Sequence, residues 1–387
     1  MLSFVLTGLG ALTLAVWVVG GVAAIRGGLS IRFLRDVAPL AAGAAAPFVS
    51  VVVAARDEAH TLEPALRSLL RQRYARLEVI VVDDRSRDGT GALLDRRARE
   101  HAPRLRVLHL HALPDGWLGK NHALQRGAAL ARGELLLFTD ADVLMQPTTV
   151  ARAVAYLERE RLDHVAVAPE LRMPGLLLEL FAGTFALFFS QYARPWKARD
   201  PKSRAHVGIG AFNLLRASAY HAAGAHRPIA LRPDDDMMLG KLLKRHGARQ
   251  DVLFGRSLIA VQWYASLGEA VRGLEKNTFA GLGYSLGAVL AASAALLLLN
   301  VWPFLALVLT RGAAWALNAA TVAVVLLLFA GSSRASGARP WLGVAFPLGS
   351  LLFVYIVVRA AVLALRRGGI RWRDTHYPLH ALRANRL

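Results

Sequence analysis

Two aspartates separated by one residue, Asp140 and Asp142, directly follow the apolar run Leu-Leu-Leu-Phe-Thr. Carboxylates with this spacing at the end of a strand can together hold a hard divalent cation, which would neutralise a diphosphate leaving group. A chain of this length is expected to contain an Asp-x-Asp about once by chance, and turn-forming aspartates are the alternative. The position after a buried strand favours the metal site.

A second acidic pair, Asp83 and Asp84, ends the apolar run Val-Ile-Val-Val. A carboxylate there can accept hydrogen bonds from a base N–H or a ribose hydroxyl. The alternative is a turn and a helix cap formed by Ser86 or Asp88, which accounts for Asp88 but does not require two adjacent aspartates. The pair therefore favours a contact with a nucleotide.

Lys120 follows Gly-Trp-Leu-Gly (116–119) at the expected start of a helix. The segment lacks the spacing of a phosphate-binding P-loop, but the beginning of a helix is a favourable place for an anion. From this motif alone, a solvated surface lysine is an equally good interpretation.

Three adjacent carboxylates, Asp234, Asp235 and Asp236, precede the helical run 237–246. They repel one another, so the pKa of at least one of them should rise. One interpretation is a cluster that complements the dipole of the helix. The other is a general base, since a carboxylate with a raised pKa in a cleft can accept a proton near neutral pH.

Short β-branched runs alternate with segments of helical spacing through the middle of the chain. The expected strands are 49–55, 78–82, 105–110 and 134–139, and the expected helices are 61–71, a stretch ending near Glu100, and 121–131. Strands that are apolar on both faces and alternate with helices predict an α/β fold with a mainly parallel sheet. Such sheets bind ligands at the carboxyl ends of their strands, where both acidic pairs fall.

The composition predicts a membrane protein. Of the 387 residues, 55% are hydrophobic, and the excess lies in the first 25 residues and in the last third of the chain. Residues 1–25 carry no charge and lack the basic start of a signal peptide, so we interpret them as a retained N-terminal transmembrane anchor. Arg26, Arg32 and Arg35 follow, which predicts an outside N-terminus and a cytoplasmic domain after the anchor.

The last third contains three largely apolar stretches, about 282–310, 313–330 and 341–365, which predict C-terminal transmembrane helices within 282–365. Three crossings from the cytoplasm would leave the tail 366–387 outside, whereas its six arginines favour the inside. A re-entrant or interfacial stretch would remove this conflict. Another apolar stretch, 174–190, predicts either a buried core helix or an interfacial helix.

The formal net charge of +20 is compatible with nucleic acid, with anionic lipid headgroups or with diphosphate ligands. We find no RNA-recognition, zinc or helix-turn-helix signature, so no nucleic-acid partner is expected. The chain has no cysteine, which excludes disulfides, thiolate metal sites and cysteine nucleophiles.

Five motifs, taken in order, resemble those of the family 2 glycosyltransferases of GT-A fold, whose sheet is Rossmann-like. They are Val-Val-Val-Ala-Ala-Arg-Asp-Glu (51–58), Val-Asp-Asp-Arg-Ser-Arg-Asp-Gly-Thr (82–90), Gly-Lys-Asn-His-Ala-Leu (119–124), Thr-Asp-Ala-Asp (139–142) and Asp-Asp-Met-Met-Leu-Gly-Lys-Leu-Leu-Lys-Arg-His-Gly (235–247). The resemblance covers roughly residues 47–265. Within the family, the anchor, the Gly-Trp-x-Gly-Lys segment, the C-terminal spans and the tail Arg-Trp-Arg-Asp-Thr-His-Tyr-Pro (371–378) are similar to those of hopanoid-associated and carotenoid-type members.

The resemblance implies a UDP- or GDP-sugar as donor and a membrane lipid as acceptor. The nucleotide sugar would be bound by Ala54, Arg56, Glu58, Asp84, Lys120 and Asp140. Asp140 and Asp142 would hold the cofactor, Mg²⁺ or Mn²⁺, on the diphosphate.

The resemblance also places Phe212 and Asn213 near the acceptor and makes Asp236 the general base, with Asp235 beside it. Members that synthesise polymers carry Gln-x-x-Arg-Trp after the base. Here residues 261–266 read Val-Gln-Trp-Tyr-Ala-Ser, which favours the transfer of a single sugar.

The expected function is therefore an inverting, metal-dependent transfer of one sugar to a lipid at the cytoplasmic face of the cell membrane. A protein of another class, a membrane transporter or scaffold that only binds nucleotide, is the alternative. The apolar stretches carry little charge, and this disfavours a transport pathway.

Overall fold

The computed structural model describes residues 1–40, 46–385 and 387, and these divide into two compact units. The α/β unit comprises Ile31–Glu170, Pro195–Gln262 and Ala384–Leu387, and the apolar helical unit comprises Met1–Ser30, Leu171–Arg194 and Trp263–Arg383. The chain therefore leaves the α/β unit twice and returns to it twice.

Helices and strands alternate in the α/β unit, whereas helices dominate the other unit. The helices are α1 Leu2–Ser30, α2 Leu62–Leu70, α3 Thr90–His101, α4 Gly119–Leu130, α5 Thr149–Arg159, α6 Leu176–Ala193, α7 Ala217–Ala222, α8 Asp235–Arg245, α9 Leu267–Gly281, α10 Leu286–Leu296, α11 Trp302–Leu309, α12 Gly312–Ser336, α13 Phe346–Arg366 and α14 Leu379–Ala384. The strands are β1 Val49–Ala55, β2 Leu77–Asp84, β3 Leu105–Leu110, β4 Leu135–Asp140, β5 Leu144–Met145, β6 His164–Ala168, β7 Glu170–Leu171, β8 Asn213–Arg216, β9 Gln250–Phe254, β10 Ile259–Val261, β11 Gly369–Trp372 and β12 Thr375–Pro378.

The α/β unit is organised around a seven-stranded sheet of order β3-β2-β1-β4-β8-β6-β9. Its neighbouring strands are parallel except β8, which is antiparallel to β4 and to β6. β1, β2 and β4 are almost entirely buried, because their apolar residues face packed helices on both sides. The mainly parallel α/β fold and the four strands predicted from the sequence are confirmed.

The register of the central strands brings the predicted motifs to one edge of the sheet. Ala54 in β1 is level with Val82 in β2 and with Asp140 in β4. Because the three strands are parallel, the chain emerges from each of them at the same edge. Arg56, Asp84 and Asp140 therefore lie at the carboxyl ends of adjacent strands, as a ligand site on such a sheet requires.

The apolar helical unit contains segments that are long and apolar enough to cross a membrane. In the described residues these are Leu2–Ser30, Leu176–Lys197, Leu286–Leu309, Gly312–Ser333 and Pro340–Arg366. The predicted anchor coincides with α1, which continues beyond residue 25 to Ser30. The segment Leu286–Leu309 combines α10 and α11, joined by a π-helical turn at Leu297–Val301.

The stretch 174–190 forms α6, which belongs to the apolar helical unit. Its Leu180 packs in one cluster with Phe329 of α12 and Phe346 of α13, and its Phe181 is fully buried. It is therefore not a core helix of the α/β unit. Within the stretch 47–265 predicted for the catalytic domain, residues 171–194 thus belong to the other unit, because a helix that is apolar on all sides packs best among other apolar helices.

The predicted basic tail, 366–387, has secondary structure of its own. β11 and β12 form an antiparallel hairpin, and α14 follows it. The ammonium group of Lys276 in α9 lies 3.6 Å from the ring centre of Trp372 in β11, a cation–π contact.

Candidate active site

Lys120 links two of the acidic motifs. α4 begins at Gly119, directly before Lys120, and its N-terminal turn faces the sheet edge. Lys120 Nζ lies 2.8 Å from Asp140 Oδ1 at the end of β4 and 3.4 Å from Asp235 Oδ2 at the start of α8. Burial alone would lower the pKa of Lys120, but the charges of Asp140, Asp235 and Asp236 outweigh it and raise that pKa. Lys120 is therefore a permanent cation within the cluster.

A small cavity lies beside this lysine. It is lined by side chains from α4, β4, β8 and α8, among them Lys120, Asp140, Asn213, Asp235 and Asp236. The structure thus brings the predicted metal ligand Asp140, the predicted base Asp236 and the predicted donor ligand Lys120 to one place.

The three aspartates at the start of α8 have different contacts. Asp234 accepts two hydrogen bonds from Arg232, at 2.9 Å from Nε and 2.7 Å from Nη2. Asp235 faces Lys120. Asp236 accepts hydrogen bonds from the backbone N–H of Gly210 at 2.8 Å and of Met237 at 2.7 Å. The bidentate ion pair with Arg232 makes Asp234 the least suitable base of the three.

Asp236 is electrostatically prepared to exchange a proton near neutral pH. Burial raises its pKa to about 7, and the neighbouring charge of Asp235 adds to this effect, while Lys120 opposes it. Each of its oxygens accepts one backbone N–H and keeps a further lone pair. The carboxylate is therefore fixed in orientation and can still accept a proton.

Two glycines allow the chain to approach this carboxylate closely. A Cβ at Gly208 would lie 1.8 Å from the carbonyl oxygen of Asp236, and a Cβ at Gly210 would lie 2.7 Å from Asp140 Oδ2. Any side chain at Gly208 would clash with backbone. The loop 208–210 therefore has to be glycine-rich to lie between β4 and α8.

Asp142 lies in surroundings that disfavour its negative charge. Burial, together with the charges of Asp140 and Glu58, raises its pKa to about 7. Among the described residues, no three potential metal-ligating side chains are grouped together. Two crowded carboxylates are nevertheless the oxygen donors that Mg²⁺ and Mn²⁺ prefer, with remaining positions left for water and phosphate. The donor set therefore fits the predicted cation.

The predicted nucleotide ligands at the ends of β1 and β2 lie together. Asp84, which is 3% exposed, accepts hydrogen bonds from Arg85 Nε at 2.7 Å and Nη2 at 3.0 Å. Arg56 Nη1 lies 3.8 Å from Asp84 Oδ2. A Cβ at Gly119 would lie 2.3 Å from the same oxygen, so glycine is required where α4 begins. Sequence reasoning missed Arg85, although it directly follows the acidic pair.

Glu58 and Ala54 complete the predicted donor site. Glu58 follows β1, and its Oε2 accepts a hydrogen bond from Thr61 Oγ1 at 2.6 Å. Its backbone N–H donates to Thr90 Oγ1 at 2.9 Å, which ties the loop after β1 to the start of α3. Ala54 lies level with Asp140 in the sheet.

The two predicted acceptor residues are buried. Phe212 is fully buried, and Asn213 is 2% exposed. Asn213 Oδ1 accepts a hydrogen bond from the backbone N–H of Ile209 at 3.1 Å and lies 3.0 Å from His164 Nε2. Phe212 is thus a core side chain, because β8 runs inside the sheet. Asn213 supports the loop 208–210 and reaches only the small cavity.

Asn121 is a structural residue of the site that sequence reasoning missed. Its Nδ2 lies at hydrogen-bond distance from the carbonyl oxygens of Ile229 at 2.8 Å, Ala230 at 3.2 Å and Arg232 at 2.9 Å. It therefore ties the segment before the three aspartates to α4. In the sequence, only its position next to Lys120 could have indicated a role in the site. Its hydrogen-bond partners could not be foreseen, because they are more than a hundred residues away in the sequence.

Part of the chain matches a known protein family. Residues 50–223 match the family model described as Glycosyl transferase family 2. This part of the chain, a little under half of it, is therefore similar to a family 2 glycosyltransferase domain, and the α/β unit has the GT-A fold expected for that class.

Some of the curated relatives have names that refer to a lipid or a carotenoid. The chain is 33% identical over 123 residues to a beta-monoglucosyldiacylglycerol synthase of Trichormus variabilis, covering 31% of this chain and 26% of that protein. It is 23% identical over 236 residues to a 4,4'-diaponeurosporenoate glycosyltransferase of Staphylococcus haemolyticus, covering 60% of this chain and 61% of that protein. The match thus spans about a quarter of the first relative and less than two thirds of the second.

A solved structure shares the fold along nearly the whole chain. It is a mannosyltransferase from Pyrobaculum calidifontis in complex with GDP-Man and Mn²⁺, with a TM-score of 0.57 and 21% identity, covering 94% of this chain and 98% of that one.

Proposed function

We propose that this protein transfers a single sugar from a UDP- or GDP-sugar to a membrane lipid, with inversion at the anomeric carbon, at the cytoplasmic face of the membrane. The observation that carries the proposal is the contact of Lys120 with both Asp140 and Asp235, next to Asp236. One cleft then contains a cation for a leaving diphosphate and a carboxylate for the attacking hydroxyl. The names of the lipid-modifying relatives and the apolar helices support a lipid acceptor.

In this proposal, Asp236 acts on the acceptor. Its carboxylate takes the hydroxyl proton as the acceptor oxygen forms a bond to the anomeric carbon. The bond from that carbon to the diphosphate oxygen breaks, and its electron pair stays on the diphosphate. A single displacement of this kind inverts the configuration. The backbone N–H groups of Gly210 and Met237 hold the base in a fixed orientation throughout.

The donor is held by charges on the opposite side of the cleft. Lys120, released from Asp140 and Asp235, would pair with the developing negative charge of the nucleoside diphosphate. Asp140 and Asp142 would hold Mg²⁺ or Mn²⁺, which when bound neutralises the diphosphate. Asp84, Arg56 and Glu58 would bind the nucleoside.

The direct test is the release of nucleoside diphosphate by the purified protein. UDP- and GDP-hexoses are supplied with and without extracted membrane lipids. We expect release that depends on the lipid and is accompanied by a glycolipid of the same yield. Binding of the nucleotide sugar without lipid-dependent release would instead identify a nucleotide-binding transporter or scaffold and contradict the proposal.

A further inference from the structure

The α/β unit fixes which parts of the chain lie on the same side of a membrane. Its sheet includes β6 and β8, which are hydrogen-bonded neighbours and lie before and after α6 in the sequence. A bilayer cannot pass between two paired strands, so both ends of α6 are on one side. The segment 171–194 leaves the α/β unit and returns to it. It therefore makes no net crossing of the membrane, although α6 is long and apolar enough to cross.

The same reasoning applies to the second segment that leaves the α/β unit, 263–383. Asn385 belongs to the α/β unit, where its Nδ2 donates to the carbonyl oxygen of Pro228 at 3.0 Å and its Oδ1 accepts from Leu231 N–H at 3.0 Å. The chain thus leaves from and returns to the same side, and it crosses an even number of times. This part of the chain contains three long apolar segments. At least one of them does not cross.

Helix α12 crosses alongside α1. A Cβ at Gly10 would lie 3.1 Å from Leu317 Cβ, and one at Gly21 would lie 2.8 Å from Leu328 Cδ1, so the two helices run parallel. Ile31, directly after α1, belongs to the α/β unit. The C-terminal end of α12 therefore lies on the same side as the α/β unit.

Helices α10 and α11 supply the other crossing. They are joined to α12 through Thr310 and Arg311, and Trp315 Nε1 donates to the carbonyl oxygen of Leu307 at 3.1 Å across this turn. The pair is therefore antiparallel. At the other end, the carbonyl oxygen of Tyr284, before α10, accepts a hydrogen bond from Arg383, next to the return point.

This leaves α13 with both ends on the α/β side. The ring of Phe346, its first residue, lies 6.0 Å from the ring of Trp17 and 6.2 Å from that of Phe329, both well inside their helices. Further along α13, Arg359 forms an ion pair with Glu275 of α9 at 2.6 Å. The chain thus turns back after α12, begins α13 beside Trp17 of α1 and Phe329 of α12, and continues along α9.

We infer that residues 337–366 form a re-entrant segment that enters the leaflet next to the α/β unit and returns to the same side. Its exposed apolar face meets the acyl chains of that leaflet. The face is formed by Trp341, Val344, Leu348, Leu351 and Tyr355, each more than 40% exposed in the structure. The crossing helices are then α1, α10 with α11, and α12. Arg371 and Arg373 then lie on the same side as the α/β unit, as the positive-inside rule favours for the cytoplasmic side proposed above.

The chain has no cysteine, so single cysteines can report sidedness without background. Four exposed arginines are suitable positions for single cysteines. Arg99 in α3 marks the side of the α/β unit. The other three are Arg311 between α11 and α12, Arg339 before α13, and Arg373 in the hairpin of β11 and β12. Each is changed to cysteine in the full chain. Sealed membrane vesicles are treated with a membrane-impermeant maleimide before and after detergent, and sugar transfer by each variant is recorded as the control for folding.

We expect R99C, R339C and R373C to be labelled in the same vesicle orientation, and R311C only in the opposite one. Labelling of R339C and R373C from opposite sides would show that α13 crosses and would overturn the inference. Labelling of R311C with the other three would overturn the α10–α12 crossings. The result does not depend on which sugar is transferred.

A depth measurement provides a second test that does not rely on loops. Spin labels at Val344→Cys, Leu348→Cys, Leu351→Cys, Tyr355→Cys and Val362→Cys are compared for collision with oxygen and with a polar nickel complex. A re-entrant segment predicts the greatest depth near Val344 and a steady decrease toward Val362. A maximum near Leu351 or Tyr355 with shallow positions on both sides would indicate a crossing and contradict the inference.

Discussion

The two units of this protein handle buried polar groups in opposite ways. In α12 and α13, the buried side chains of Asn318, Thr321 and Ser350 donate to carbonyl oxygens one turn earlier in their own helix. At the edge of the sheet, Lys120 and Asp236 bond to groups far away in the sequence. These local bonds satisfy the three donor groups within a single helix, which suits an apolar environment. Long-range bonds at the sheet edge instead hold charges in an arrangement that the fold alone can maintain.

This difference indicates which of the two units contains the candidate catalytic groups. A charge is costly to bury unless it is paired, so buried carboxylates whose pKa is raised to about 7 mark the sheet edge as the candidate functional site. The helical unit contains the helices that are long and apolar enough to cross a membrane. Substitutions at the sheet edge should therefore affect catalysis strongly, and equivalent substitutions in the helices should have little effect.

The largest effect is expected for Asp236→Asn. Loss of the base removes the proton-transfer contribution, so the transfer rate should fall roughly 10²–10⁴-fold. Binding of the nucleotide sugar, measured by calorimetry, should remain near normal, because the donor ligands are unchanged. Asp234→Asn is the matched control, since it breaks only the ion pair with Arg232. An Asp236→Asn protein that keeps more than about a tenth of the rate would exclude this base.

Asp142→Ala should have the next largest effect. Without this carboxylate, the cation on the diphosphate is held weakly, and turnover should fall by about 10²–10³-fold, as for the loss of other transition-state stabilising groups. Excess Mn²⁺ should recover part of the activity, and EDTA should abolish it in the unmodified protein. Full activity in EDTA would show that the two aspartates do not bind a required metal.

The pH dependence of the transfer rate should be a smaller effect than either substitution. A base works only when deprotonated, and the pKa of Asp236 is about 7. Activity should therefore be present above this pH and decline by about tenfold per unit as the pH falls below it. The residual activity of Asp236→Asn should not show this decline at low pH. A profile that is flat between pH 5 and 8 would mean that Asp236 does not titrate during the reaction.

The smallest effects come from one pair of asparagines. Asn121→Ala leaves several buried carbonyl groups of the segment 229–232 with one bond fewer, which should cost about 1–3 kcal/mol of stability. Asn318→Ala leaves a carbonyl that the helix already satisfies, so its cost should stay below about 1 kcal/mol. Hydrogen exchange at 229–236 should speed up only in the first variant. Equal effects at the two positions would remove the contrast between the units.

Much of the fold could be predicted because it is encoded locally. The strands β1 to β4 are continuous β-branched or leucine-rich runs, and the helices between them have apolar residues at helical spacing. The position of Asp84 and Asp140 at one edge follows from parallel pairing alone. The placement of α6 could not be predicted, because a helix that is apolar on all sides fits a protein core and a membrane equally well.

The contacts within the site were harder to predict because they join distant segments. The closeness of Gly208 to the backbone of Asp236 could not be predicted, because it requires the loop 208–210 and α8 to be placed in three dimensions. The burial of Phe212 depends on β8 being an inner strand of the sheet. The sequence identified which residues carry chemistry, whereas the bonds that orient them became visible only in the folded chain.

The most direct test of the central claim is mass spectrometry of lipids from cells that carry the gene, lack it, or carry Asp236→Asn. We expect one lipid class to gain the mass of one hexose only with the unmodified gene. Its unglycosylated precursor should accumulate in the other two strains. Identical lipids in all three strains, or a glycolipid that persists with Asp236→Asn, would contradict the claim that this acidic cluster transfers a sugar to a membrane lipid.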